Sequence, residues 1–305
     1  MAAMLRSRFP RVHLATAAAL VIGTLMGCGE AGTAVPPAQP GESSPAVVAS
    51  HLQPQIVTSQ LTIGSRRFTI GVADRNTPIN DAIVHVRTFA SVGGTVQPKA
   101  EADAPFKGEG LLGRGLYVAQ LNFDSAGQWL ALITMQRPGQ AATTVTRPFT
   151  VVASGPVPTV GQPAPKTHNQ TATDVPDVSY IDSGSPPNDM HAISIADAIG
   201  QHRPALVVFA TPAFCTSATC GPQVHAVQAL EPAYRDRVAF IHVEVYRDFK
   251  PDPAKRKFNP SFLEWNLQTE PWVFLIDAKG LISASFEGTA ATDELKQAVD
   301  QMLAA

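Results

Sequence analysis

The chain has 305 residues, 45% of them hydrophobic and 16% charged, with a formal net charge of −2. That length and apolar content fit two folded domains with unstructured joints, and the balanced charge, with no Lys or Arg run beyond the N-terminal leader, argues against nucleic acid or an acidic ligand as a partner. Three cysteines, at positions 28, 215 and 220, are too few for a disulfide-stapled mini-domain or a cysteine-rich metal site, and one must be explained apart from the other two.

Residues 1–28 account for the odd cysteine. Arg6, Arg8 and Arg11 form a basic start, and the apolar stretch from Leu14 to Met26 is too short and too rich in small residues for a membrane span, so the segment reads as an export signal. Leu25-Met26-Gly27-Cys28 resembles the lipobox of bacterial lipoproteins, which implies lipidation of Cys28 and a membrane anchor; the alternative is a plain signal peptide with an incidental cysteine. Two or three acyl chains would hold the protein stably, at about 0.8 kcal/mol per buried methylene. Residues 29–54, with Pro36, Pro37, Pro40 and Pro45 and few large apolar side chains, are expected to form a disordered tether.

Residues 55–153 change to short runs of period two separated by turn residues, the pattern of an all-β sandwich. Strands are predicted over Arg67–Asp74, Ala82–Phe89, Leu116–Phe123, Trp129–Met135 and Thr144–Val152. Tyr117, Ala119, Leu121 and Phe123 fall on one face of the third, and Trp129, Ala131, Ile133 and Met135 on one face of the fourth, which predicts one buried and one wet side. The stretch from Gly115 to Trp129 resembles the Ig-like YtkA/FixH-type domains of exported bacterial proteins. His85 and Met135 stand alone, without a Met/His cluster, so this domain is expected to serve as a spacer or docking module.

Residues 154–189, punctuated by Pro176, Pro186 and Pro187, are expected to form a linker and lead-in loop. Residues 190–305 then alternate in type. The order is a strand at Ala205–Phe209, a helical stretch ending near Tyr234, a strand at Val238–Val245 and a short helix near Ser261–Trp265. A strand at Trp272–Asp277 follows, then a turn at Ala278-Lys279-Gly280, a strand at Leu281–Phe286 and a helix over Thr292–Met302. Cys215 follows the first strand where the chain is predicted to enter a helix, and unpaired N–H groups at such a position favour a thiolate.

Gly161-Gln-Pro-Ala-Pro165, the Cys215 region, and Glu270-Pro271-Trp272-Val-Phe-Leu-Ile-Asp277 with Gly280 together resemble the thioredoxin superfamily. The resemblance implies an α/β thioredoxin-like C-terminal domain behind the Ig-like sandwich, a redox pair formed by Cys215 and Cys220, and a cis peptide bond at Pro271 beside it; the alternative for Pro271 is a proline opening an ordinary edge strand. Four residues separate the cysteines where thioredoxins have two. In an ideal helix residues five apart rise ~7.5 Å and diverge by about 140°, so a bond requires a loop or local unwinding. A second register remains open, because Cys220-Gly221-Pro222-Gln223 resembles Cys-Gly-Pro-Cys with Gln in place of the resolving cysteine. The buried acid many thioredoxins carry is absent at Val208; Glu244, Asp248 or His242 could replace it, or each could be an ordinary exposed strand-end residue.

The expected function is extracytoplasmic thiol-disulfide exchange with protein or small-molecule thiols and disulfides, needing no cofactor and no nucleic acid; the oligomeric state is open. Two other readings stand beside it. Thr211-Pro212-Ala-Phe-Cys215 followed by Cys220-Gly221 resembles atypical two-cysteine peroxiredoxins, although Thr211 is one position too far from Cys215. Two thiolates with a distant histidine would suit copper(I), as in Sco-type chaperones, but His225 and His242 match no expected ligand position. A permanent Cys215–Cys220 disulfide could also simply staple a loop.

Overall fold

The structure, a computed structural model, describes residues 51–305. The export signal, Cys28 and nearly all of the expected tether lie outside the described residues. What is described is mostly β-sheet with a few helices.

Two five-stranded sheets make up the N-terminal half. The first joins β1 (Leu52–Ile56), β3 (Gly64–Asp74), β8 (Leu116–Phe123) and β7 (Phe106–Lys107) in that order, with β4 (Thr77–Pro78) against β3. The second runs β2 (Leu61–Thr62), β10 (Thr143–Val152), β9 (Gly127–Gln136), β5 (Ile83–Val92), β6 (Thr95–Asp103). Period-two alternation sets which side chains enter the core. Tyr117, Ala119, Leu121 and Phe123 on β8 and Trp129, Ala131, Ile133 and Met135 on β9 are all buried, as their spacing predicts. Phe68, Phe123, Trp129 and Phe149 stack into one aromatic cluster between the sheets. β1 begins inside the stretch expected to be tether, because Leu52 is wholly buried in this core while Gln53 and Gln55 face outward. β6 has no counterpart among the expected strands: it is an exposed edge whose side chains do not alternate in burial.

The C-terminal half is a four-stranded sheet in the order β12 (Ala239–Glu244), β11 (Ala205–Ala210), β15 (Trp272–Ile276), β16 (Ile282–Glu287). β11 runs parallel to β12 and antiparallel to β15, and β16 runs antiparallel to β15. Every residue of β11 is buried, and its alternate side chains enter two different cores. Leu206, Val208 and Ala210 pack beneath α2 (Cys220–Gln228), α3 (Glu231–Tyr234) and α5 (Thr292–Ala304). Ala205, Val207 and Phe209 pack beneath α1 (Ile195–Gly200) and α4 (Pro260–Glu264) on the other face. α5 covers its face through Leu295, Ala298, Val299 and Met302, spaced three and four residues apart.

Residues 154–189, expected to be a linker and lead-in loop, run largely without regular secondary structure. Val157, Ala164, Thr167, Ile181 and Asp182 are buried, and Gly161 and Gln162 hydrogen-bond with Ile282, which extends the sheet beyond β16. Val157 and Ala164 pack into the core on the α1 and α4 face of the C-terminal sheet, together with Ile195, Ala198 and Trp265.

The two halves are fastened together. Arg67 on β3 pairs with Glu294 at the start of α5 at 2.9 Å and donates to the carbonyls of Thr289 and Glu287. Ser59 N–H donates to Glu287 at 2.6 Å, and Lys107 pairs with Asp293 at 2.7 Å. Leu111, in the loop between β7 and β8, is completely buried in the core beneath α2 and α5. Gly110 turns that loop with a φ of +73°, and a Cβ there would run into Thr292 Oγ1.

Candidate functional site

Cys215 lies in the loop after β11 and Cys220 opens α2, with their sulfurs in disulfide contact and their Cα atoms 6.0 Å apart. The helix begins at Cys220, not at Cys215 as the sequence predicts, and the intervening residues form a loop. Ala218 takes a φ of +55° within it. This loop is the unwinding that five-residue spacing demands, since it turns Cys215 back over the first turn of α2. Cys215 N–H donates to Thr211 O at 3.1 Å, which pins the loop to the end of β11.

The two sulfurs differ in access. Cys220 is wholly buried, whereas Cys215 is partly exposed at the edge of the same core. Cys220 N–H points at Cys215 Sγ from 3.3 Å, and the hydroxyls of Ser217 and Thr219 lie 3.2 and 3.8 Å from that sulfur. A backbone donor in a first helical turn plus two hydroxyls is an environment that stabilises a thiolate on Cys215.

Pro271 is buried at the start of β15 and follows a cis peptide bond from Glu270. Glu270 brings a carboxylate oxygen within 4.8 Å of both sulfurs. Its pKa lies above the ordinary glutamate range because of burial, with the charge of Glu244 adding to the effect. Among the described residues no histidine joins the two sulfurs and Glu270 as a possible ligand group.

Behind the loop lies a buried polar network that sequence reasoning did not assemble. Glu244, at the end of β12, is pushed up by burial, and it accepts hydrogen bonds from Ser183 N and Tyr246 N. His242, two residues earlier, donates through Nε2 to Ala210 O at 3.1 Å, directly before the cysteine loop. Its other ring nitrogen lies 3.5 Å from Asp182, which also contacts His191 at 3.2 Å and accepts from Gly184 N and Asn188 N. Burial alone would raise the Asp182 carboxyl, but the hydrogen bonds from His191 and His242 hold it well below the ordinary range. Glu244 and His242 are thus interior groups, while Asp248 is exposed. Asp182 and His191 carried no distinguishing signal in the sequence, since each sits in a polar, proline-punctuated stretch, and Glu270 was read only as part of the Pro271 motif.

No protein-family model matches the chain, and no curated protein matches it. Several solved structures show partial likeness, among them the following three. StoA from Bacillus subtilis is 19% identical over 39% of this chain and 95% of its own, with a TM-score of 0.28. The PmoD soluble domain from Methylocystis sp. ATCC 49242 (Rockwell) is 12% identical over 33% of this chain and 90% of its own, with a TM-score of 0.22. A human fibronectin type-III domain is 14% identical over 37% of this chain and 92% of its own, with a TM-score of 0.20.

Proposed function

We propose that the chain is an extracytoplasmic, lipid-anchored thiol-disulfide oxidoreductase with an Ig-like sandwich and a thioredoxin-like C-terminal lobe, acting through Cys215 and Cys220. The observation that carries this reading is the asymmetry of the pair: an accessible Cys215 sulfur surrounded by donors, joined to a buried Cys220 at the first turn of a helix. The sheet order, with one parallel and two antiparallel junctions and helices on both faces, fits the thioredoxin-like reading.

In the reducing direction the Cys215 thiolate attacks one sulfur of a substrate disulfide, forming a mixed disulfide and expelling the other substrate sulfur as a thiolate. Cys220, deprotonated, then attacks the Cys215 sulfur, so the second substrate thiolate leaves and the intramolecular disulfide forms. Two electrons pass to the substrate, and the reverse sequence oxidises a dithiol. Pro271 presents no N–H that would compete for the sulfur. Anchoring at Cys28 places this chemistry at a membrane surface outside the cytoplasm.

Turnover of an insulin-type disulfide, with an external dithiol as electron donor, tests the chemistry. Loss of turnover in the Cys215→Ser, Cys220→Ser double variant is expected, and full activity in that variant sinks the proposal. Acyl labelling of the wild type and its loss in Cys28→Ser tests the anchor.

A further inference from the structure

The loop that carries the partly exposed Cys215 borders a cleft. This cleft, of about 880 Å³, lies between the two halves, with Ser217, Thr219, Glu270 and Pro271 on one side. Ser217 and Thr219, whose hydroxyls approach Cys215 Sγ, both line this space, so the reactive sulfur lies one side chain behind the cleft wall. The sandwich side contributes half-buried apolar Ile56, Val57, Ile79, Phe106 and Leu116, rimmed by polar residues such as Gln55 and Asn80. Arg114 adds an exposed cation there, with no side-chain partner among the described residues.

We propose that the cleft holds an extended polypeptide segment carrying the reacting cysteine, with the sandwich as the specificity-determining wall; this deepens the oxidoreductase reading and rests on it. The volume is at the upper end of the ~300–1,000 Å³ usual for small-ligand sites. A compact thiol reacting at Ser217 and Thr219 leaves the apolar sandwich wall wet, whereas a chain several residues long covers both walls and brings its backbone carbonyls to Arg114. The ties between Arg67 and Glu294 and between Lys107 and Asp293 hold the walls apart in advance, so little ordering of the protein opposes binding.

The experiment compares two oxidised substrates on the full chain: a ten-residue apolar peptide bearing one cysteine in mixed disulfide with glutathione, and oxidised glutathione alone. Single-turnover reduction is followed for wild type, Arg114→Glu and Ile79→Gln. The expected result is a wild-type preference for the peptide and a fall of about tenfold or more in the peptide-to-glutathione rate ratio in both variants. Wild type reducing both substrates with the ratio unmoved by either variant overturns the cleft as a peptide site and leaves the oxidoreductase reading standing. Wild type reducing neither substrate overturns both. Because each variant supplies its own rate on oxidised glutathione, a misfolded protein shows as loss on both substrates, and rescue of the ratio by Arg114→Lys must then be seen or the proposal fails.

Discussion

Cys215 and Cys220 have the same chemistry and different surroundings, and burial decides their roles. A wholly buried thiol cannot meet a substrate sulfur, so every intermolecular bond falls to Cys215. Cys215→Ser is expected to abolish disulfide turnover, whereas Cys220→Ser should keep the first attack and accumulate a mixed disulfide at Cys215, detectable by intact mass. Glu244 supplies a pH signature. Its folded pKa is raised, so the folded state keeps a proton that the unfolded chain releases near 4.5, and its contribution to stability falls as pH rises above that value. Urea midpoints at pH 5 and pH 8 should differ less in Glu244→Gln than in wild type; an unchanged difference would refute this role. Asp182 has the opposite sign. With its folded pKa depressed, its contribution is present in full above about 3.8 and is lost as pH falls through the folded value. Asp182→Asn at neutral pH leaves His191 and His242 without their buried carboxylate, at a cost of about 3–5 kcal/mol read from denaturant unfolding.

At the level of elements, the loop Glu109–Gly115 joins the two halves alongside Arg67 on β3. Thr292 N–H donates to Glu109 O at 3.0 Å, Thr289 donates to Arg114 O, and Leu111 fills a hole in the far core. Leu111→Ala should cost about 2–5 kcal/mol in thermal or denaturant unfolding. A value under half a kcal/mol would mean the loop is not docked. The sequence hid this contact, because Leu111 stands in a glycine-rich turn where no periodicity marks a buried position. The legible elements are those whose burial has a period. β8 and β9 alternate, β11 and β15 are continuous apolar runs covered on both faces, and α5 shows helical spacing; each lies close to where its pattern places it. β6 escaped because an exposed edge imposes no pattern, and β1 because its proline and glutamines resemble a tether. Both cysteines and Pro271 were legible from their neighbours in sequence. The Asp182–His191–His242 group was not, since it forms only when a distant polar segment folds against β12, Asn188 meeting His242 across 54 residues of chain.

At the scale of the molecule, the sandwich, expected to serve as a spacer or docking module, is joined to the C-terminal half through a largely buried ion pair. Arg67 and Glu294 pair with only 11% and 12% of their side chains exposed, and removing one partner leaves the other desolvated without a counter-charge. Arg67→Met is therefore expected to lower the melting temperature, and calorimetry should still show one transition spanning both halves. Two well-separated transitions would show that the halves fold independently. Leu111 gives this coupling a practical edge. A fragment starting near residue 155 keeps both cysteines but exposes the apolar socket between α2 and α5, and such surfaces find one another in solution. Cutting the chain in two therefore costs solubility before it costs chemistry, and the failure would be read on a sizing column rather than in a thiol assay.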